Sequence, residues 1–543
     1  MKSNANQELS QNERLFKKAV QKGQVAFQRG DCNSVMAWAK IAAHFAFARH
    51  PGFYTDLTLE SLLLNVAHEL DKESENLNSF MSARFKAKDY GKMRFLHIIT
   101  ESYDADDHSS FIARWIENTT NTSVHNLIIT SNHNSSLPKI LSSAVRKSGG
   151  WHFSLPALTT NLYNQALFLR QFARDWADVV VLFVHPFDPV PTVSFGVDGG
   201  PPIIFCNHAD HAFWLGSSIA DVIADYHSSG GLLSAKRRGT QSSTILPIPL
   251  PKNIVGLRDV TARNKLGVCD DEVMLLTVGR EEKFFPFGNY DFLNVLVKVL
   301  KQHPNAKLFA AGPTHQGRWK IASDLVEGRI TALGTVDRTV LDSFYQAADL
   351  YVGSFPCGSG TAMLEAGIHN LPILGLHIKE LPHFSGGDDV ALKNLGTFVS
   401  STGDFIASLN SMINDCSLFR QKASLIKEHI EQEHCFPGWN AYLDNLLQSL
   451  PSQHTVHKPK PIDAQTDYAD AYFAHLCSEM FLNELPEYSL GRLVRVYAKN
   501  LPKIDAVNAQ MESFLRALPK VDSVKKCKEY LYNLREFLNF TFN

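Results

Sequence analysis

The chain lacks a long apolar run. Its most apolar stretches, such as residues 179–184 (VVVLFV) and 273–278 (VMLLTV), have strand length and are too short to span a bilayer. The N-terminal residues MKSNANQELSQNERLF contain no apolar core of a signal peptide. Eight cysteines (Cys32, Cys206, Cys269, Cys357, Cys416, Cys435, Cys477 and Cys527) are scattered, and no two stand at metal-ligand or redox spacing. Reduced thiols in a reducing compartment follow. Charge of one sign is not in excess. Lys plus Arg is 53 and Asp plus Glu is 55, a formal net charge of −2. That balance argues against a bulk nucleic-acid binder. A soluble, cytoplasmic protein is expected, and the glycosylation-like triplets at Asn118, Asn121 and Asn134 carry no meaning there.

What is present is ordinary globular material: 543 residues, 44% hydrophobic and 20% charged. That length suits three to four domains, or two large ones with extensions. Residues 1–90 read as a helical region, because residues 35–50 and 57–70 carry apolar side chains at helical spacing and Pro51-Gly52 separates them. From residue 93 the texture changes. Residues 95–100, 126–129, 151–155, 179–184, 203–205 and 221–224 read as strands, with helical stretches at 111–117 and 162–176. Strands apolar on both faces that alternate with helices predict a parallel sheet covered by helices. A second such run starts near Val273. Residues 245–251 (ILPIPLP) form a proline-stiffened link between the two. The expected plan is α/β: a helical region over 1–90, a Rossmann-like lobe over 91–250, a second over 251–450, and a linker with a helical region over 451–543. Ligands are expected at the carboxyl ends of the strands.

Two motifs in the second lobe carry chemistry. Residues 358–367 (GSGTAMLEAG) follow the strand-like LYVGSF. A glycine turn that feeds a helix start offers backbone N–H groups and a positive dipole end, which suits a phosphate. Gly358, Ser359, Gly360 and Thr361 are the candidate phosphate loop, and an ordinary capped helix is the alternative. Glu365 lies one turn beyond Thr361, where a carboxylate can accept bonds from ribose hydroxyls. Residues 278–283 (VGREEK) leave the first strand of the same lobe. Gly279, Arg280 and Lys283 are candidates to meet a departing nucleoside diphosphate. Two surface cations after a strand are the alternative.

With these residues in view, the second lobe resembles the donor-binding domain of the GT-B glycosyltransferases. VGR..K, AKLFAAGP and RITALGTVDR..LDSFYQAADLYVGSFPCGSGTAMLEAG..NLPIL occur in the order of the retaining family marked by two glutamates eight positions apart. The resemblance implies diphosphate contacts from Arg280 and Lys283 and a ribose contact from Glu365. Cys357 stands where the first glutamate of that pair would be. The string PCGSGTA is also similar to the phosphate loop of O-GlcNAc transferases and of the bacterial glycosyltransferases that modify high-molecular-weight adhesins, which are inverting. Both stereochemical outcomes stay open.

In the first lobe, residues 101–110 (ESYDADDHSS) place Asp107 and His108 where GT-B enzymes often carry a glycine-rich turn, and a solvated acidic loop is the alternative. Residues 206–216 (CNHADHAFWLG) place His208, Asp210 and His211 after a strand. His208 is expected to touch the donor. Asp107, His108, Asp210 and His211 are candidate catalytic groups, and Phe213 and Trp214 a wall for a sugar ring. Lys236, Arg237 and Arg238 read as a solvated basic turn, and His185 and Asp188 as candidates to line the acceptor side. Asp104–Asp106 is not expected to bind metal, because GT-B enzymes usually work without one. The implied activity is transfer from a nucleotide-diphosphate sugar, with a UDP-sugar the expected donor, to a glycan, lipid-linked glycan or protein. No metal or other cofactor is expected. The helical extensions are expected to pack against the lobes, with a peripheral membrane or homo-oligomer contact as the alternative. A sugar-nucleotide epimerase and an inactive scaffold are the competing readings.

Overall fold

The computed structural model describes residues 2–74, 91–101, 107–131, 137–252, 260–385, 387–458, 460, 466–480 and 486–502. The chain divides into two compact units. One takes Met1–Ala224, Leu232–Thr244 and the chain from Gln448 on. The other takes Asp225–Gly231 and Ile245–Leu447.

The first unit holds a seven-stranded sheet. Its strands are β1 (Met93–Ile99), β2 (Ser123–Ile129), β3 (His152–Ser154), β4 (Val179–Phe183), β5 (Ile203–Asn207), β6 (Val222–Asp225) and β7 (Ser243–Ile245), in the order β3-β2-β1-β4-β5-β6-β7. The central pairs are parallel, with Ile99 opposite both Ile129 and Phe183. Every side chain of β4 and β5 is buried, so both faces are covered and the strands are continuous apolar runs. The order reverses between β1 and β4, the topological switch point at which such sheets bind ligands.

The helices Lys2–Gln28, Cys32–Ala48 and Leu57–Ser74 belong to this unit, and their apolar faces merge with the core under the sheet. Asp31 caps the second of them by accepting from Ser34 N–H. The helices Tyr468–Met480 and Pro486–Val496 also belong here. The stretch read as a linker is anchored. His454 is buried and bonds Asp221 at 2.8 Å and the Phe195 carbonyl at 2.7 Å. The C-terminal run KKCKEYLYNLREFLNF lies outside the described residues.

The second unit holds a six-stranded parallel sheet. Its strands are β8 (Val273–Val278), β9 (Ala306–Ala311), β10 (Ile330–Ala332), β11 (Leu350–Val352), β12 (Ile373–Leu376) and β13 (Thr397–Val399), in the order β10-β9-β8-β11-β12-β13. Its switch point lies between β8 and β11. The short strands β7 and β13 are absent from the sequence reading, because three half-buried or exposed residues carry no periodic signal.

The first sheet contains a buried histidine pair. His97 Nε2 and His125 Nδ1 are 2.9 Å apart, and His125 Nε2 is 3.0 Å from Thr119 Oγ1. Burial pulls the His97 imidazole down to about 3, and burial with the His97 neighbour lowers His125 too. Their neutral forms are therefore the folded forms. The unfolded chain takes up protons below about pH 6.5, so the contribution of this pair to stability is level above that pH and falls as pH drops toward 3. One such histidine costs about 2 kcal/mol between pH 7.5 and pH 5. Urea unfolding of the first unit at the two pH values checks this. Equal midpoints would contradict it.

Candidate functional site

Both second-unit motifs leave strands that flank the β8/β11 switch point. Gly279 and Arg280 follow β8, and the 3-10 turn Glu281–Phe284 carries Lys283. The candidate phosphate loop follows β11, and the helix Gly360–Ile368 begins directly after Ser359. Lys283 ties the two together. Its Nζ donates to the Gly358 carbonyl at 3.0 Å, and its own carbonyl accepts from Cys357 N–H at 3.3 Å. Two glycines stand at close contacts, Gly358 against backbone and Gly279 against a side chain. A Cβ on Gly279 would stand 2.7 Å from Ser359 Oγ, and one on Gly358 would stand 2.8 Å from the Ser385 carbonyl. The N–H groups of the first helical turn, from Gly360 and Thr361 on, have no acceptor within the helix.

Arg280 is the least confined of these groups. Its side chain is 79% exposed and pairs with Glu282 at 3.1 Å. Glu365 is buried in the helix that follows the loop. Arg338 donates to one carboxylate oxygen, and the Tyr345 hydroxyl donates to the other at 3.2 Å. Burial and the Glu365 carboxylate push the Tyr345 hydroxyl up, so it stays a donor. Sequence reasoning missed Arg338 and Tyr345. Their signal was faint, since both lie on an amphipathic helix with no motif of its own (Arg338–Ala347).

In the first unit the candidates follow two different strands, β1 and β5. Asp107 and His108 open the helix Asp107–Thr119, but their side chains lie outside the described residues, as does the run 104–106. The histidine loop follows β5. His211 Nδ1 and Asp210 Oδ1 are 3.2 Å apart, with Asp210 buried and His211 more than a third exposed. His208 Nδ1 lies 3.3 Å from the Cys206 carbonyl, and the His211 ring meets Phe473 edge-on at 5.4 Å.

Three expectations are corrected here. Phe213 and Trp214 are not a sugar wall. Both are buried, Phe213 against Phe16 and Phe53, and Trp214 stacked on Phe205 at 4.4 Å. Lys236–Arg238 is not a solvated turn. Lys236 is exposed, but Arg237 and Arg238 are buried in the π-helix Ser234–Arg238. Asp188 does not line a ligand surface. It is buried, accepts from the Thr100 and Thr130 hydroxyls, and caps the helix Pro189–Ser194 through Val190 N–H.

The β1/β4 switch point gathers groups that the sequence did not connect. Glu101 and His185 leave these paired strands two residues beyond the matched Ile99 and Phe183. His185 N–H donates to Thr100 Oγ1 at 2.9 Å. His44, from the N-terminal helices, stacks on Phe187 at 3.9 Å, and its Nδ1 lies 2.8 Å from the Tyr497 hydroxyl. Burial, with Lys40 and His185 nearby, lowers His44 to about 4.

No family model and no curated protein matches the chain. Solved structures do. Anabaena HepE, solved in complex with UDP and glucose, is 13% identical; the match covers 66% of this chain and 100% of HepE with a TM-score of 0.50. TarM is 10% identical, with 67% and 99% covered and a TM-score of 0.50. A Thermobaculum terrenum O-GlcNAc transferase mutant is 13% identical, with 86% and 99% covered and a TM-score of 0.48. The fold is that of the GT-B glycosyltransferases: two Rossmann-like α/β units with N-terminal and C-terminal helical extensions.

Proposed function

We propose that this chain is a glycosyltransferase. It moves a sugar from a nucleotide-diphosphate sugar, a UDP-sugar first among them, to a hydroxyl of a glycan, lipid-linked glycan or protein. The observation that carries the reading is the joined pair of motifs at the β8/β11 switch point, where Lys283 bonds the loop that feeds the helix Gly360–Ile368. Such a site matches a diphosphate in charge and in donor geometry.

In this reading Lys283, Arg280, Ser359, Thr361 and the first-turn N–H groups hold the diphosphate. Glu365, fixed by Arg338 and Tyr345, accepts from the ribose hydroxyls. During transfer the acceptor oxygen bonds the anomeric carbon, and the bond from that carbon to the diphosphate oxygen breaks. The leaving group keeps the electron pair, and the cations and amides of this loop stabilise its charge. The acceptor proton passes to a base, for which His211, oriented by Asp210, is the candidate in the described part of the first unit. His208 is assigned to the donor. The proposed transfer uses no metal or other cofactor. HepE was solved with UDP and glucose, which supports UDP-glucose as the first donor to try.

UDP release from UDP-glucose and UDP-N-acetylglucosamine, with glycan, lipid-linked and peptide acceptors, tests this. Acceptor-dependent release is expected with one donor. Conversion of the donor sugar to its epimer without acceptor would instead support the epimerase reading.

A further inference from the structure

The π-helix Ser234–Arg238 places two consecutive arginines in buried positions of the first unit. A π turn is less well bonded than an α turn and persists where a tertiary role holds it. Here the two guanidinium groups serve different partners. Arg237 donates to Asp470 at 3.0 Å and to the Gly52 carbonyl at 3.2 Å, and Asp470 in turn bonds His50 at 2.8 Å. Arg238 is 0% exposed. Its Nη2 donates to the carbonyls of Asp210 at 2.6 Å and Ala212 at 2.5 Å, on either side of His211. Its guanidinium also lies 4.6 Å from the Trp214 ring and 5.2 Å from the Tyr54 ring.

We propose that Arg238 is the positioning residue of the histidine loop: by bridging the carbonyls that flank His211 it fixes the His211–Asp210 pair for proton transfer. The proposal rests on the assignment of His211 and Asp210 given above. One donor nitrogen that spans two carbonyls two residues apart sets the backbone at His211, and the rings set the plane of the donor. Lysine cannot replace this, because an ammonium has no plane to lay against aromatic rings. The same turn carries Arg237, bound to the helix Tyr468–Met480, whose Phe473 touches His211. The C-terminal helices therefore support the loop from a second side.

The test uses the full chain with Arg238→Lys, Arg238→Met and His211→Ala. Three quantities are read: UDP release from UDP-glucose, the dissociation constant of UDP, and the His211 ring resonances in the NMR spectrum. Both Arg238 variants are expected to bind UDP like the parent and to lower kcat by about 10- to 100-fold at an unchanged donor KM. The His211 ring signals should shift or broaden. Parental kcat with unmoved His211 signals would overturn the proposal. His211→Ala separates the two claims. If it turns over like the parent, the catalytic assignment of His211 fails, while the His211 signals in Arg238→Lys still decide what Arg238 does. If Arg238→Met does not fold, amide exchange in the parent decides with Arg238→Lys. Ala212 and Gly216 should exchange as slowly as the strands, and exchange at open-loop rates would overturn the proposal.

Discussion

Replacing Lys283 by alanine is expected to weaken UDP binding by about 10- to 100-fold, the equivalent of one hydrogen bond to a charged group. Two contributions are lost together. The ammonium proposed to meet the diphosphate is gone, and the bond from Nζ to the Gly358 carbonyl no longer holds the loop. The second contribution costs the folded chain about 1 kcal/mol or less, since a partly exposed carbonyl can turn to water. The variant should therefore melt close to the parent while its titration with UDP weakens sharply. Lys283→Arg keeps the charge and should recover part of the loss. A Lys283→Ala variant with the parental dissociation constant would remove Lys283 from the site.

The second large effect falls on Glu60, in the helix Leu57–Ser74. Its carboxylate is buried and accepts from Gly216 N–H at 2.8 Å, from Ser218 N–H at 3.2 Å and from the Ser218 hydroxyl. Thr55 and Ser217 hydroxyls meet 2.9 Å apart beside it, and Trp214 N–H donates to the Tyr54 carbonyl. Burial pushes the Glu60 carboxyl up, while the three donors pull it back. Glu60→Ala strands these donors in the interior, and a loss of about 2–4 kcal/mol in first-unit stability is expected. Glu60→Gln keeps an acceptor and should lose less. Gly216 and Ser218 end the loop that carries the candidate residues His208 and His211. Urea unfolding followed by tryptophan fluorescence checks the magnitude. A change below 1 kcal/mol for Glu60→Ala would show that the N-terminal helices do not hold this loop.

The strands were legible because burial on both faces leaves a plain trace. VVVLFV, PPIIF and VMLLTV can only be central strands once helices alternate with them. The candidate phosphate loop could be picked out because its residues are contiguous and each has a local reason: glycine for close approach, a hydroxyl at the helix start, a cation one strand away. What stayed hidden depends on pairs far apart in sequence. Arg237 and Arg238 look like a surface turn until Asp470, 233 residues later, and the Asp210 and Ala212 carbonyls are brought to them. Trp214 looks like a sugar platform until Phe205 and Arg238 cover it. The part played by Glu60 shows only when Gly216 and Ser218 are brought to it. Glu101 and His185 become neighbours only when β1 and β4 pair at the switch point, which no local pattern reveals.

The most direct test of a nucleotide-sugar site in the second unit is a melting experiment with UDP, GDP, ADP, CMP and TDP and their sugar conjugates, on the parent and on Lys283→Ala. A ligand that binds only the folded chain stabilises it by about 2.7 kcal/mol at a hundredfold excess over its dissociation constant. One nucleoside diphosphate, UDP first among them, should raise the parental melting temperature by several degrees and leave Lys283→Ala nearly unmoved. If none shifts the parent, or if the shift survives the loss of Lys283, the donor site is not at Lys283 and the loop Gly358–Thr361.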